Sequence, residues 1–259
     1  MTRALRAELI KLWRPRTITV AVLSTLVFTI GSAALVLAAV PSYRPAGFGP
    51  TSETLSRAGG GSEVFTTALS FAGFFVFVVF IGAFAIEFSR GTIRTMALRQ
   101  PERLRLIVGK FLGLLTSAAV LAAGAEVVGW TAARLMARAN GVDPSRWMSW
   151  DGLGAGVVDY GKVLFWVSGY ALLGTMLGVL IRSVPIALAA GIAWAGPIEH
   201  VVGNAWSGAG RVFPGLLLED LFGTGRWGVS AGRAFTTSAA YAVVTASVAA
   251  LTFMRRDLT

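Results

Sequence analysis

Glu87–Lys110 reads EFSRGTIRTMALRQPERLRLIVGK, a basic stretch set between two long apolar runs. A helix needs about 20 apolar residues to cross a bilayer, so a polar stretch between two such runs has to emerge on one side of a membrane. Six cations, Arg90, Arg94, Arg99, Arg103, Arg105 and Lys110, place that side in the cytosol, where loops carry the excess of Lys and Arg. Thr92, just after Gly91, is suited to cap a short helix with Ile93, Met96 and Ala97 on one face and Arg94 and Arg99 beside it. Pro101 stops that helix and opens the next. A short capped helix with an apolar face, held between two spans, suits the groove of a cytosolic partner. A basic loop that binds anionic headgroups would use the same six cations.

Outward from this stretch, the composition agrees with a membrane setting. Hydrophobic residues make up 55% of the 259 positions and charged residues 14%, with a mean hydropathy of +0.68. Soluble domains carry about 25% charged residues. The net charge of +10 could suggest nucleic acid, but the cations flank apolar runs instead of forming a patch, so no nucleic-acid partner is expected. Arginine (20) outnumbers lysine (3), and Ala and Gly are abundant, as in the chains of GC-rich bacterial genomes. The chain has no cysteine, which excludes disulfides, thiolate metal sites and thiol nucleophiles.

The pattern predicts an all-α membrane protein, one transmembrane domain over 1–259. Residues 1–16 carry Arg3, Arg6, Lys11, Arg14 and Arg16, with Leu5, Leu9, Leu12 and Trp13 at helical spacing. They read as an amphipathic helix along the inner membrane surface, ended by Pro15. Six spans follow, at about 18–40, 64–86, 107–133, 163–181, 184–202 and 234–254, with residues 87–106 as the cytosolic loop. The first apolar run is too long for the core of a cleaved signal peptide. Cations before span 1, in the 87–110 loop, at Arg182 and at Arg255 and Arg256 put both termini in the cytosol of a bacterial cytoplasmic membrane. Arg182-Ser183 is the tightest connection, and Pro185 fits the first turn of the next helix, so spans 4 and 5 read as an antiparallel pair. Arg57-Ala-Gly-Gly-Gly-Ser62 reads as a flexible outer connector. Phe213–Phe222 is too apolar for a solvated loop and reads as a re-entrant helical hairpin in the outer leaflet.

Little in the chain points to catalysis. Gly156-Val-Val-Asp-Tyr-Gly161-Lys162 has phosphate-loop spacing, but Val163 stands where a magnesium-holding hydroxyl belongs, and the segment precedes a span instead of following a strand. His200 is the only histidine, beside Glu199 at the outer end of span 5, and reads as structural. Glu219 and Asp220 are sequence neighbours that point different ways on a helix, so they form no general acid/base couple. Glu126 reads as the one charged residue deep within a span, about two turns below the outer end of span 3, and is a functional candidate on that ground. Such scarcity argues against proton- or sodium-coupled transport. Span 2 carries Phe71, Phe74, Phe75, Phe77, Phe80 and Ile81, and span 5 carries Trp194 before Pro197. Phe74, Phe77, Ile81 and Trp194 are the candidates for an uncharged path for hydrophobic or amphipathic cargo.

Over its whole length the chain resembles the permease subunits of ABC-2 type exporters. The resemblance rests on the first helix ending Glu8-Leu-Ile-Lys11-Leu-Trp13, the six spans, the Glu-x-x-x-Gly-Thr pattern at Glu87 to Thr92, Pro101-x-x-x-Arg105 with Gly109-Lys110, and the apolar segment before span 6. It implies that the loop after span 2 forms a coupling helix that docks on a cytosolic ATP-binding subunit, and that two permeases pair with two ATPases. By the same resemblance Glu87, Gly91, Thr92, Arg94, Met96 and Arg99 transmit ATPase movement to spans 2 and 3, and spans 2 and 5 of the two copies line the path. No cofactor belongs to this chain, since ATP and magnesium are held by the partner subunit, and the chain is a transport subunit, not an enzyme in itself. Two other classes fit the residues. One is an ATP-independent scaffold or sensor that recruits a cytosolic partner; the other is an intramembrane enzyme using Glu126, Glu199 and His200.

Overall fold

A computed structural model describes residues 2–40, 50–69, 73–93, 95, 102–222 and 226–255. Among these the regular structure is helical, without strands. Five helices are long and apolar enough to cross a membrane: Pro15–Ala38, Arg103–Asn140, Trp150–Ile181, Val184–Ala205 and Ala231–Arg255. The chain is therefore an all-α multi-pass membrane protein.

In chain order the helices are α1 (Thr2–Leu12), α2 (Pro15–Ala38), α3 (Ser52–Leu55), α4 (Gly60–Leu69), α5 (Gly73–Ser89), α6 (Arg103–Ala137), α7 (Trp150–Ile181), α8 (Val184–Ala193), α9 (Glu199–Ala205), α10 (Pro214–Asp220) and α11 (Ala231–Arg255). Pro15 does not end the first helix. It opens α2, where its missing N–H costs nothing, and α1 stops at Leu12. Of the second expected span the structure describes α4 and α5, on either side of residues 70–72, which lie outside the described residues. The fourth begins 13 residues before the expected Val163, because the glycine-rich stretch from Trp150 is helical. Packing overrides its low helix propensity: a Cβ at Gly152 would stand 2.8 Å from the Ala58 carbonyl oxygen.

The chain forms two compact units, and α6 and α7 each give one half to each. One comprises Arg14–Ala72 and Ala119–Phe165. Its core joins Ala33 and Leu37 of α2, Leu55, Val64, Ala133, Ala137, Val142 and Trp147. Trp147 is fully buried, and its indole N–H donates to the Leu55 carbonyl at 2.7 Å. Gly60, Gly61 and Ser62 are buried at the start of α4, so the expected flexible connector is a packed element.

The other unit comprises Met1–Trp13, Gly73–Ala118 and Trp166–Thr259. Phe80, Phe84, Ile93, Leu106, Ile107, Leu114, Ala171, Val179 and Phe253 form its core. Here α5 lies backbone-close to α7. A Cβ at Gly174 would meet the Phe77 carbonyl oxygen at 2.7 Å, and one at Gly178 the Ile81 carbonyl oxygen at 2.8 Å. Span 5 is α8, a π-helical turn over Trp194–Ile198 that takes up Pro197, and α9. The expected re-entrant hairpin is a single seven-residue helix, α10, whose Gly215–Asp220 are all buried within the unit.

Candidate functional site

Four of the residues that carry the family resemblance, Glu8, Lys11, Glu87 and Lys110, lie far apart in sequence and meet at one end of the second unit. On α1 the face that turns inward is Leu5, Glu8 and Leu12, at helical spacing, with Glu8 only 7% exposed. Glu87 comes from the last turn of α5 and Lys110 from the second turn of α6, each 5% exposed. Lys110 Nζ donates to Glu87 Oε1 at 2.8 Å and to Glu8 Oε1 at 3.2 Å, and lies 5.4 Å from the centroid of the Phe84 ring. Half-exposed Lys11 completes the group, 3.4 Å from Glu87 Oε1 and 3.5 Å from Glu8 Oε1. Two carboxylates and two ammonium groups leave the cluster formally neutral, which offsets a desolvation cost of several kcal/mol per buried ion. Glu87 Oε2 is buried without a hydrogen-bond partner.

The other helix ends at this pole are tied in as well. Ser89 Oγ donates to the Arg182 carbonyl at 2.9 Å, and the Arg182 guanidinium stacks 4.9 Å from the Phe88 ring. Arg182 adopts a left-handed φ of 57° in the two-residue turn from α7 to α8. The Arg103 guanidinium donates to the Met254 carbonyl near the end of α11, and Phe88 meets Phe253 edge to face. The 87–110 segment thus leaves and re-enters a braced platform.

Within that segment, Gly91 and Thr92 are exposed, and Gly91 has φ 66°, a conformation a side chain would strain. The Thr92 hydroxyl donates to the Glu87 carbonyl at 3.3 Å, so it closes the end of α5. Ile93 differs most from expectation. It is 5% exposed and packs in the core with Leu106 and Ile107, an anchor for the segment within its own unit instead of an outward contact. Glu87 likewise braces the platform from inside. Arg94, Met96 and Arg99, the remaining expected contacts, lie outside the described residues.

The path residues divide in a similar way. Phe77 and Ile81 are 2% and 0% exposed, packed against Gly174, Gly178 and Gly191, so they are helix-packing residues here. The open face of α5 carries Phe75 and Val79 instead, each 56% exposed. Phe74 lies in α5, with its side chain outside the described residues. Trp194 is half-exposed, and its indole N–H donates to Glu199 Oε1 at 2.8 Å.

Glu126 sits on the half of α6 that belongs to the first unit. It is partly buried and faces Gly156 of α7. One turn along, Asp159 accepts from Ser62 Oγ and from Lys162 Nζ, each at 2.7 Å. Lys162 is therefore an ion-pair partner on a continuous helix, with no loop to cradle a phosphate. Glu199 and His200 belong to the other unit, where they meet Glu219 and Gly215. Glu199 is a second acid within a span, 1% exposed, which the sequence reading placed at the span's outer edge. Among the described residues no group of three or more His, Asp or Glu side chains is placed to hold a metal ion.

The charge cluster was missed although its signal was present: Glu8 shares a helix face with Leu5 and Leu12, where an acid has to find a cation. No protein-family model matches the chain, and no curated protein matches it in sequence.

Proposed function

We propose that this chain is the membrane-spanning permease subunit of an ATP-driven ABC-2 type exporter, working as a homodimer with separate cytosolic ATP-binding subunits in a bacterial cytoplasmic membrane. The observation that carries the reading is the convergence of Glu8, Lys11, Glu87 and Lys110 on one buried cluster at the root of the 87–110 segment. A segment meant only to connect two spans needs no such root. A segment that receives force does, because a displacement at 94–101 has to move whole helices and not bend its own stem.

In this reading the segment after Gly91 docks on the ATPase through Met96, Arg94 and Arg99, and Ile93 fixes its base. Movement passes through Glu87 to α5 and through Lys110 to α6, with Glu8 keeping α1 in step. From α5 it reaches α7 and α8, because Gly174, Gly178 and Gly191 leave no room for α5 to slide independently. The exposed faces of α5 and span 5, with Phe75, Val79 and Trp194, are the surfaces left for the second copy and for hydrophobic or amphipathic cargo. The N-terminal helix, with exposed Ile10 and Trp13 beside Lys11, lies in the inner headgroup layer. Six spans and cytosolic termini complete this topology.

The test is assembly. A soluble ATP-binding protein should copurify with the wild-type chain from its native membrane, and Met96→Asp should abolish the complex while the permease still inserts, since the change buries an unpaired charge. A headgroup-binding loop predicts the reverse, with a small effect of Met96→Asp and a large, salt-sensitive effect of removing Arg94 and Arg99.

A further inference from the structure

We propose that His200 and Glu219 form a proton-binding latch at the far end of the second unit, holding one proton between Nε2 and Oε1 and so tying span 5 to helix α10. This site lies roughly 24 Å along span 5 from the α7–α8 turn, at 1.5 Å per residue. It stands whether or not the chain is a permease.

His200 Nδ1 lies 2.8 Å from the Gly196 carbonyl, which can only accept, so Nδ1 carries hydrogen. His200 Nε2 lies 2.9 Å from Glu219 Oε1, and a proton has to sit between those two atoms as well. With the ring protonated and Glu219 ionised, both bonds form. Take that proton away and one of them has to fail: either the Nε2 lone pair faces a carboxylate oxygen, or the ring shifts tautomer and the Nδ1 lone pair faces Gly196. Each alternative sets two acceptors less than 3 Å apart.

Neighbouring groups keep the pair from escaping the conflict. Glu219 Oε2 accepts from the Trp227 indole at 2.8 Å, so the carboxylate cannot turn away without releasing that ring. Asp220, fully buried, accepts from the backbone N–H groups of Trp227 and Val229 at 3.2 Å and ties the same loop to α10. The charged groups that act on His200 are Glu219 from α10, Glu199 on its own helix and Arg226 of the loop, whose guanidinium lies 4.8 Å from the Trp227 ring. Glu199 accepts from the Trp194 indole and the Gly215 N–H on Oε1, while its buried Oε2 has no hydrogen-bond partner among the described residues. The His200 side chain is 34% exposed, so its proton exchanges with water while Glu219 stays 10% exposed. The ligand is thus a proton from the solvent at this end, and its loss removes the side-chain tie between span 5 and α10, leaving the Gly215 N–H to Glu199 bond.

His200 is the only histidine, so imidazole ¹⁵N NMR of histidine-labelled protein in lipid nanodiscs reads this ring alone. At pH 7 the wild type should show both ring nitrogens protonated. In Glu219→Gln the side-chain amide donates to Nε2, and the ring should be neutral with hydrogen on Nδ1 only. A neutral wild-type ring, or the same ring state in both proteins, would overturn the proposal. Hydrogen exchange of residues 226–230 gives a second readout: above the ring's transition it should run roughly tenfold faster in the wild type than in Glu219→Gln at equal pH, the ratio expected for losing one charge-assisted hydrogen bond. Should the variant fail to fold, a wild-type ring that titrates while exchange at 226–230 follows only the intrinsic pH dependence overturns the latch.

Discussion

Lys110 is the one ammonium group buried between Glu8 and Glu87, so Lys110→Met leaves two carboxylates in a poorly solvated site with only half-exposed Lys11 to serve them. Such one-sided breaks cost about 3–5 kcal/mol. Thermal unfolding of the purified protein in nanodiscs should show this loss, and adding Glu87→Gln should recover part of it, because the double change removes opposite charges together. A Lys110→Met protein as stable as the wild type would mean the cluster braces nothing. A second contrast separates anchor from contact. Ile93→Asp should destabilise the protein itself, because the new charge falls in its own core, whereas the proposal expects Met96→Asp to leave unfolding unchanged and affect only partner binding. From the sequence the two positions look alike, one turn apart on one apolar face. The tertiary placement of Ile93 beside Leu106 and Ile107 is what periodicity could not supply, since it carries no information about which neighbour an apolar face meets.

Among the helices, the least legible in sequence were those whose glycines meet other backbones. The stretch from Trp150 to Lys162 has four glycines and two aspartates and reads as a loop by propensity, yet it is the opening part of α7. Span 2 read as a phenylalanine-rich helix, and α5 carries most of its described phenylalanines. Its buried face is fixed by glycines on α7 that one-dimensional reading treats as neutral. This gives a test by substitution. Gly178→Leu should push α5 off α7 and lower the yield of folded, monodisperse protein severalfold, because overpacking a close helix crossing costs typically 1–3 kcal/mol. Gly154→Leu, on the same helix with open space around it, should purify like the wild type. Equal behaviour of the two would show that the close crossing is not needed. The long apolar helices, by contrast, were plain from hydropathy, and so was the Arg182-Ser183 turn, since two residues leave antiparallel packing as the simplest course.

For the whole molecule, membrane character follows from composition, but orientation rests on the distribution of cations. The chain lacks cysteine, so single cysteines report topology without background. Arg90→Cys should react with a membrane-impermeant thiol reagent only from the cytosolic side, and Arg146→Cys, exposed before α7, only from outside. The opposite pattern would place the 87–110 segment where no ATPase can reach it. The cargo of the proposed exporter was not legible, because on that proposal selectivity belongs to surfaces completed by a second copy. Purified alone, the chain should hydrolyse no ATP, and Lys162→Ala should change nothing, since Lys162 is paired with Asp159 on a helix. The most direct test of the central claim is affinity purification from native membranes after cross-linking from Thr95→Cys, an exposed position on the 87–110 segment. The account predicts a cross-link to a soluble ATP-binding protein that disappears when Met96→Asp is added; a cysteine that labels efficiently but captures no nucleotide-binding protein would contradict it.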